Sequence, residues 1–118
     1  MTIFYRLANT PLGRFFIRLL FSKMSFLIPT KRLRETDSLL AFHHPKPSHP
    51  VHILLMPKSE TDSFHSLEAG NTAFLTDLVN AVQSLITEFE LAEKGYRLIV
   101  NGGEYQDFPH LHFHLISG

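Results

Sequence analysis

The chain has 118 residues, 44% of them hydrophobic, with 11 phenylalanines and no cysteine. That suffices for the core of one globular domain and excludes a disordered composition, a disulfide framework and a zinc–thiolate site. Formal net charge is zero, but the seven basic residues up to Arg34 precede all 11 acidic ones, which begin at Glu35, so the two parts carry +7 and −7.

This polarity predicts that the basic arm lies against the acidic body or a partner subunit, with an anionic lipid surface as the alternative. Within the arm, Thr10-Pro11 predicts a helix start, with Thr10 as N-cap and Pro11 at the first helical position. Leu12, Phe15, Phe16, Leu19 and Leu20 share a face, Ile17 and Phe21 widen it, and Pro29 ends the segment. Arg6, Arg14, Arg18 and Lys23 interrupt every window of the ~20 apolar residues that a membrane span needs. They also break the apolar run a secretory signal requires. A packing or dimer helix is expected, in a cytoplasmic protein.

Residues 31–36 and 38–43 predict a hairpin with Thr36-Asp37 in its turn. HHPKPSHP, residues 43–50, holds three prolines and predicts a stiff extended loop, and VHILLMP, residues 51–57, a buried strand. From Ala73 to Lys94 the spacing of Phe74, Leu75, Leu78, Val79, Val82, Leu85, Ile86 and Phe89 predicts one long helix, capped by Asn71 and stopped by Gly95. YRLIVN, residues 96–101, predicts a strand before a Gly102-Gly103 turn, and a final strand is expected over residues 111–116. The fold class is α+β on an antiparallel sheet.

The ending HLHFHLISG sets His110, His112 and His114 at strict alternation. On a strand these rings line one face, ~6–7 Å apart, while Leu111, Phe113 and Leu115 line the other. Such a trio can grip one anion or one metal ion together. A neutral imidazole is also a good nucleophile near neutral pH, and flanking donors stabilise charge gathering on phosphoryl oxygens.

HLHFHLI, residues 110–116, resembles the His-φ-His-φ-His-φ-φ signature of the histidine triad (HIT) family, where φ is apolar. ETDSLLAFHHPKPSHPVHILLMPK, residues 35–58, resembles that family's acidic turn, strand, proline loop and H-x-hydrophobic-P-K strand; Asn101 in IVNGG and Gln106, four residues before His110, stand at its usual places. The resemblance covers residues 31–118 and leaves 1–30 as an N-terminal helical extension. It implies a five-stranded antiparallel sheet with one long helix. It also implies a homodimer that hydrolyses or transfers at the α-phosphate of nucleotide conjugates, a dinucleoside polyphosphate or a nucleoside phosphoramidate, through a covalent nucleotidyl-histidine. His112 is then the nucleophile, His114 contacts the phosphate and leaving group, His110 and His52 support them, and Asn101 and Gln106 bind at the phosphate side. The implied partners are the nucleotide conjugate and a second copy of the chain, with no nucleic acid, no cofactor and no metal.

Three departures qualify the resemblance. His44 stands where the family commonly has an acidic residue holding the ribose hydroxyls, and an imidazole makes no bidentate acceptor contact, though it offers a phosphate or stacking contact instead. Asp107 stands where the phosphoramidate branch has Ser or Thr, and a carboxylate repels phosphate unless it turns away, pairs with a histidine or is protonated. No C-terminal tail of the kind that shapes substrate choice in some branches follows Gly118. A nucleotide-sensing dimer with little turnover is therefore the alternative. Two further readings are a metal site on the H-x-H pair completed by Asp107 or Glu104, and a membrane-associated adaptor using the basic arm. His43, His49 and His65 read as solvated surface histidines, and Lys58 and Arg97 as solvated strand charges.

Overall fold

A computed structural model of the chain describes residues 31–118. The helix expected from Thr10, the arm's packing and the 1–30 extension lie outside the described residues. The elements are β1 (Arg32–Glu35), β2 (Leu39–His43), β3 (Val51–Pro57), α1 (Thr72–Glu88), α2 (Leu91–Lys94), β4 (Arg97–Val100) and β5 (Phe113–Ser117). The strands form one sheet in the order β1-β2-β3-β5-β4, every neighbour antiparallel. This is the α+β class read from the sequence, and the 31–43 hairpin and the 51–57 strand form where expected.

Period-2 alternation sends each strand's residues to two faces. Leu39, Ala41, Ile53, Leu55, Phe113 and Leu115 meet Phe74, Leu78, Ala81, Val82 and Leu85 of α1 in the main core. Leu40, Phe42, Leu54 and Met56 take the other face and are also buried. A sheet buried on both sides explains why LLAF and LLM run without polar interruption. Asp77 of α1 accepts from Thr36 and Ser38, both at 2.6 Å, which ties the hairpin turn to the helix. Arg34 reaches Ser84 (2.9 Å) and Glu88 (2.7 Å) further along it.

The long helix is not continuous. Asn71 caps it as expected, its side chain accepting from the Phe74 N–H, but regular structure ends at Glu88 and Glu90 adopts the left-handed conformation, φ 56° and ψ 44°. On a straight helix Leu91 would sit about 240° round from Leu85, facing solvent; the break turns Leu91 into the core. Gly95, at φ 101°, then stops α2.

The final strand also differs from expectation, running Phe113–Ser117 rather than 111–116. Its neighbour β3 ends in Pro57, which has no N–H to extend the ladder. The Leu111 N–H donates instead to the Thr61 carbonyl at 2.8 Å.

Candidate active site

The strand's late start rearranges the three alternating histidines. Only His114 lies in the β5 ladder, opposite Leu54 on one side and Ile99 on the other. His112 precedes the strand but stays beside His114, ring centroids 5.1 Å apart. His110 sits further back, buried, its Nε2 3.0 Å from the Pro57 carbonyl. The expectation of three rings along one strand face is thereby corrected to two adjacent rings and one buried brace.

Backbone geometry assigns the tautomers. A carbonyl only accepts, so His110 carries its proton on Nε2, and His112, whose Nδ1 is 2.7 Å from the His110 carbonyl, carries one on Nδ1. The lone pair of neutral His112 then lies on Nε2. Across the sheet, His52 accepts the Ser48 N–H at Nδ1 (3.1 Å), so its Nε2–H donates to His114 Nδ1 (2.9 Å). That leaves the His114 proton on Nε2. His112 Nε2 and the Nε2–H donor of His114 thus stand on neighbouring rings.

Burial and mutual repulsion favour the neutral form of His44, His52, His110 and His114. Burial, then the neighbouring His112, His52 and His44 rings, pushes His114 down to about 4. His44 is likewise lowered to about 4, by burial first and His52 second. Burial also lowers His52 and His110. His114 therefore acts near neutral pH as a neutral donor, not as an imidazolium.

His112 Nε2 lies 3.3 Å from Oδ1 of the exposed Asp107. A hydrogen bond from His112, ahead of burial's opposing effect, holds the Asp107 carboxyl below its usual range. This contact donates only when Nε2 carries a proton.

His44 lies tilted against His52 with ring centroids 4.2 Å apart, while the Lys46 N–H donates to its Nδ1. Loop 43–50 is thus folded back over the sheet rather than extended. Its prolines leave few N–H groups, and two of them, on Lys46 and Ser48, satisfy imidazole nitrogens. His49 is half-buried, edge-on to His52 at 6.0 Å, rather than solvated. His65 is exposed as expected; His43, also exposed, sets its ring against Phe89.

Asn101 follows β4, where Ile99 opposes His114, so alternation points it to the histidine face. Gln106 does not join the cluster: its Nε2 donates to the carbonyls of Asp62 (2.7 Å) and Phe108 (2.8 Å), clamping two loops. Glu104 is exposed on the 103–105 turn. Among the described residues the metal-capable group is His44, His52 and His114, not the H-x-H pair with Asp107 or Glu104. Sequence reasoning missed Lys46 and Pro57, which contribute backbone atoms, and Ser48, which contributes both its N–H and its hydroxyl; the proline spacing was the one signal pointing to them. Lys58 pairs with Glu35 at 2.8 Å.

A five-stranded antiparallel sheet with histidines converging at β3 and β5 defines a histidine-triad type of domain. The HIT domain model matches residues 25–118, and the chain belongs to that family. It is 39% identical over 94 residues to a HIT-like protein of Azospirillum brasilense, covering 77% of each chain. A HIT family hydrolase of Legionella pneumophila superposes with a TM-score of 0.75 at 29% identity, over 84% of this chain and 91% of the other. One from Clostridium thermocellum gives 0.72 at 30%, over 87% and 88%. A histidine triad nucleotide-binding protein of Candida albicans gives 0.68 at 26%, over 85% and 71%.

Proposed function

We propose that this chain is a nucleotidyl hydrolase or transferase acting at the α-phosphate of a nucleotide conjugate, with His112 as nucleophile. The observation that carries this reading is the placement of His112, whose Nδ1 is held by the His110 carbonyl so that Nε2 is the attacking nitrogen once unprotonated, beside His114 with its proton on Nε2. His112 Nε2 attacks phosphorus, the bond from phosphorus to the leaving group breaks, and the departing group, hydrogen-bonded by His114 Nε2–H, takes its proton from solvent. Water then attacks the nucleotidyl-histidine, the P–N bond breaks, and the water's proton is released to solvent, His114 keeping its Nε2–H throughout. Splitting one displacement into two lowers each barrier, and the neutral donors stabilise the phosphoryl oxygens without a metal. His52 and His110 act as positioning residues, and Asn101 faces the phosphate side. The relatives named as hydrolases and as nucleotide-binding support the substrate class.

A homodimer is part of this reading. The edge of β4, unpaired among the described residues, and its exposed Leu98 support joining two sheets along that strand.

The Asp107 contact favours the second reading, a nucleotide sensor with little turnover, because a carboxylate beside His112 Nε2 both repels phosphate and retains a proton there. Incubating wild type and His112→Ala with a nucleoside phosphoramidate and a dinucleoside tetraphosphate decides between them. Turnover by wild type that vanishes in the variant is expected for the enzyme. Tight nucleotide binding without turnover in wild type selects the sensor.

A further inference from the structure

We propose that His44, His52 and His114 form a site for one divalent transition-metal ion of the zinc class, occupied in competition with nucleotide. Each ring offers one nitrogen, and the three nitrogens lie within 4.8 Å of one another. Imidazole is a strong ligand for such ions when neutral, the ordinary form of histidine above its usual value near 6.5. Zinc–nitrogen bonds of ~2.0–2.1 Å set tetrahedral donors ~3.4 Å apart. His52 Nε2 and His114 Nδ1 are already closer than that, at 2.9 Å. The remaining adjustment, roughly 1.4 Å, falls on His44, which belongs to a loop rather than to the ladder.

Coordination redistributes the protons. His44 gives up the Lys46 N–H bond at Nδ1, since in the neutral ring that bond leaves the proton on Nε2, and the Lys46 N–H, on an exposed residue, turns to solvent. When His52 Nε2 and His114 Nδ1 both ligate, the proton between them must go elsewhere. It moves to His52 Nδ1, where Ser48 Oγ, 3.3 Å away, accepts it and fixes the ring. The Ser48 N–H, on an exposed residue, turns to solvent. His114 keeps its Nε2–H. Three protein nitrogens leave a fourth position open for water or an exchangeable ligand. His44 is what distinguishes this site, because the other two rings alone make a hydrogen-bonded pair.

Ion binding does not depend on the catalytic reading; only the competition does, since that reading assigns His114 to the phosphate. The test is isothermal titration calorimetry of the full, chelator-stripped chain with zinc at pH 7.5. One ion per chain is expected, with affinity on the order of micromolar or tighter. His44→Ala should weaken it about tenfold or more, whereas His112→Ala and His65→Ala should bind as wild type does. His44→Gln, which retains an acceptor for the Lys46 N–H, should lose zinc while keeping the far-UV circular dichroism of wild type. Cobalt(II) provides a second readout, through the visible absorption of a low-coordinate nitrogen site. Absence of saturable zinc binding, or unchanged affinity in His44→Ala and His44→Gln, overturns the proposal. Zinc binding by a protein that turns over neither the phosphoramidate nor the dinucleoside tetraphosphate upholds it while removing the catalytic reading. Turnover by stripped protein that binds no zinc does the opposite.

Discussion

The ring of His112 is oriented by its own chain, through the carbonyl of His110, while His110 is oriented by the carbonyl that ends β3. Each acceptor is backbone, so the tautomers survive side-chain changes around them. Asp107 is the exception to this economy of neutral groups. Replacing it with Ser removes the charge that opposes phosphate and the acceptor that retains a proton on His112; kcat/KM for a phosphoramidate should rise about tenfold, ~1.4 kcal/mol of barrier. An unchanged or lower value in Asp107→Ser would exclude this inhibitory role. The lowered histidines also set a pH dependence. His44 and His114, facing His52, His112 and Asp107, fall from 6.5 to about 4 on folding, so between those values the unfolded chain binds more protons than the folded one. Stability is therefore complete above about pH 7 and declines as pH drops toward 4, by about 2–4 kcal/mol after allowance for solvent screening. Urea midpoints at pH 7 and pH 4.5 measure it, and coincident midpoints would contradict it.

At the level of elements, the break between α1 and α2 shows what hydrophobic spacing misses. Eight apolar positions from Phe74 to Phe89 follow one helical face, and nothing in their period announces a stop at Glu88. Leu91 is nonetheless buried, because Glu90 accepts a left-handed backbone that redirects the chain. A residue with a Cβ pays roughly 1–2 kcal/mol in that conformation, partly offset by the greater entropy glycine loses on folding. Glu90→Gly is expected to raise stability by about 0.5–1 kcal/mol, read as a higher urea midpoint at unchanged slope. A lower midpoint would mean that the Glu90 side chain contributes more than its backbone costs. The late start of β5 has a similar origin: alternation was visible in HLHFHLI, but the ladder stops where Pro57 cannot donate, a fact belonging to the neighbouring strand.

Over the whole molecule, two edges bound the sheet. β1 is tied to α1 through Arg34, whereas β4 has no further strand beside it among the described residues and carries the exposed Leu98. Edges of that kind pair unless protected, so the chain is expected to elute as a dimer by light scattering, and Leu98→Lys to shift it toward monomer. A monomeric wild type would remove the dimer from the functional reading. Among the described residues no helix is long and apolar enough to cross a membrane.

Sequence alone determined the class of the fold, the hairpin, the β3 strand, the N-cap at Asn71 and the cluster of histidines near the C-terminus, because each rests on local spacing or on a single residue's backbone preference. It also singled out His44 and Asp107 as unusual. Only the tertiary structure decided what those residues do. Tautomers depend on acceptors far away in sequence, such as Pro57 for His110, and on a proline loop whose N–H groups meet imidazoles. Gln106 became a loop clamp and His44 a neighbour of His52 and His114 for the same reason: hydrogen bonds and burial are set by which segments meet, and no local pattern records that meeting.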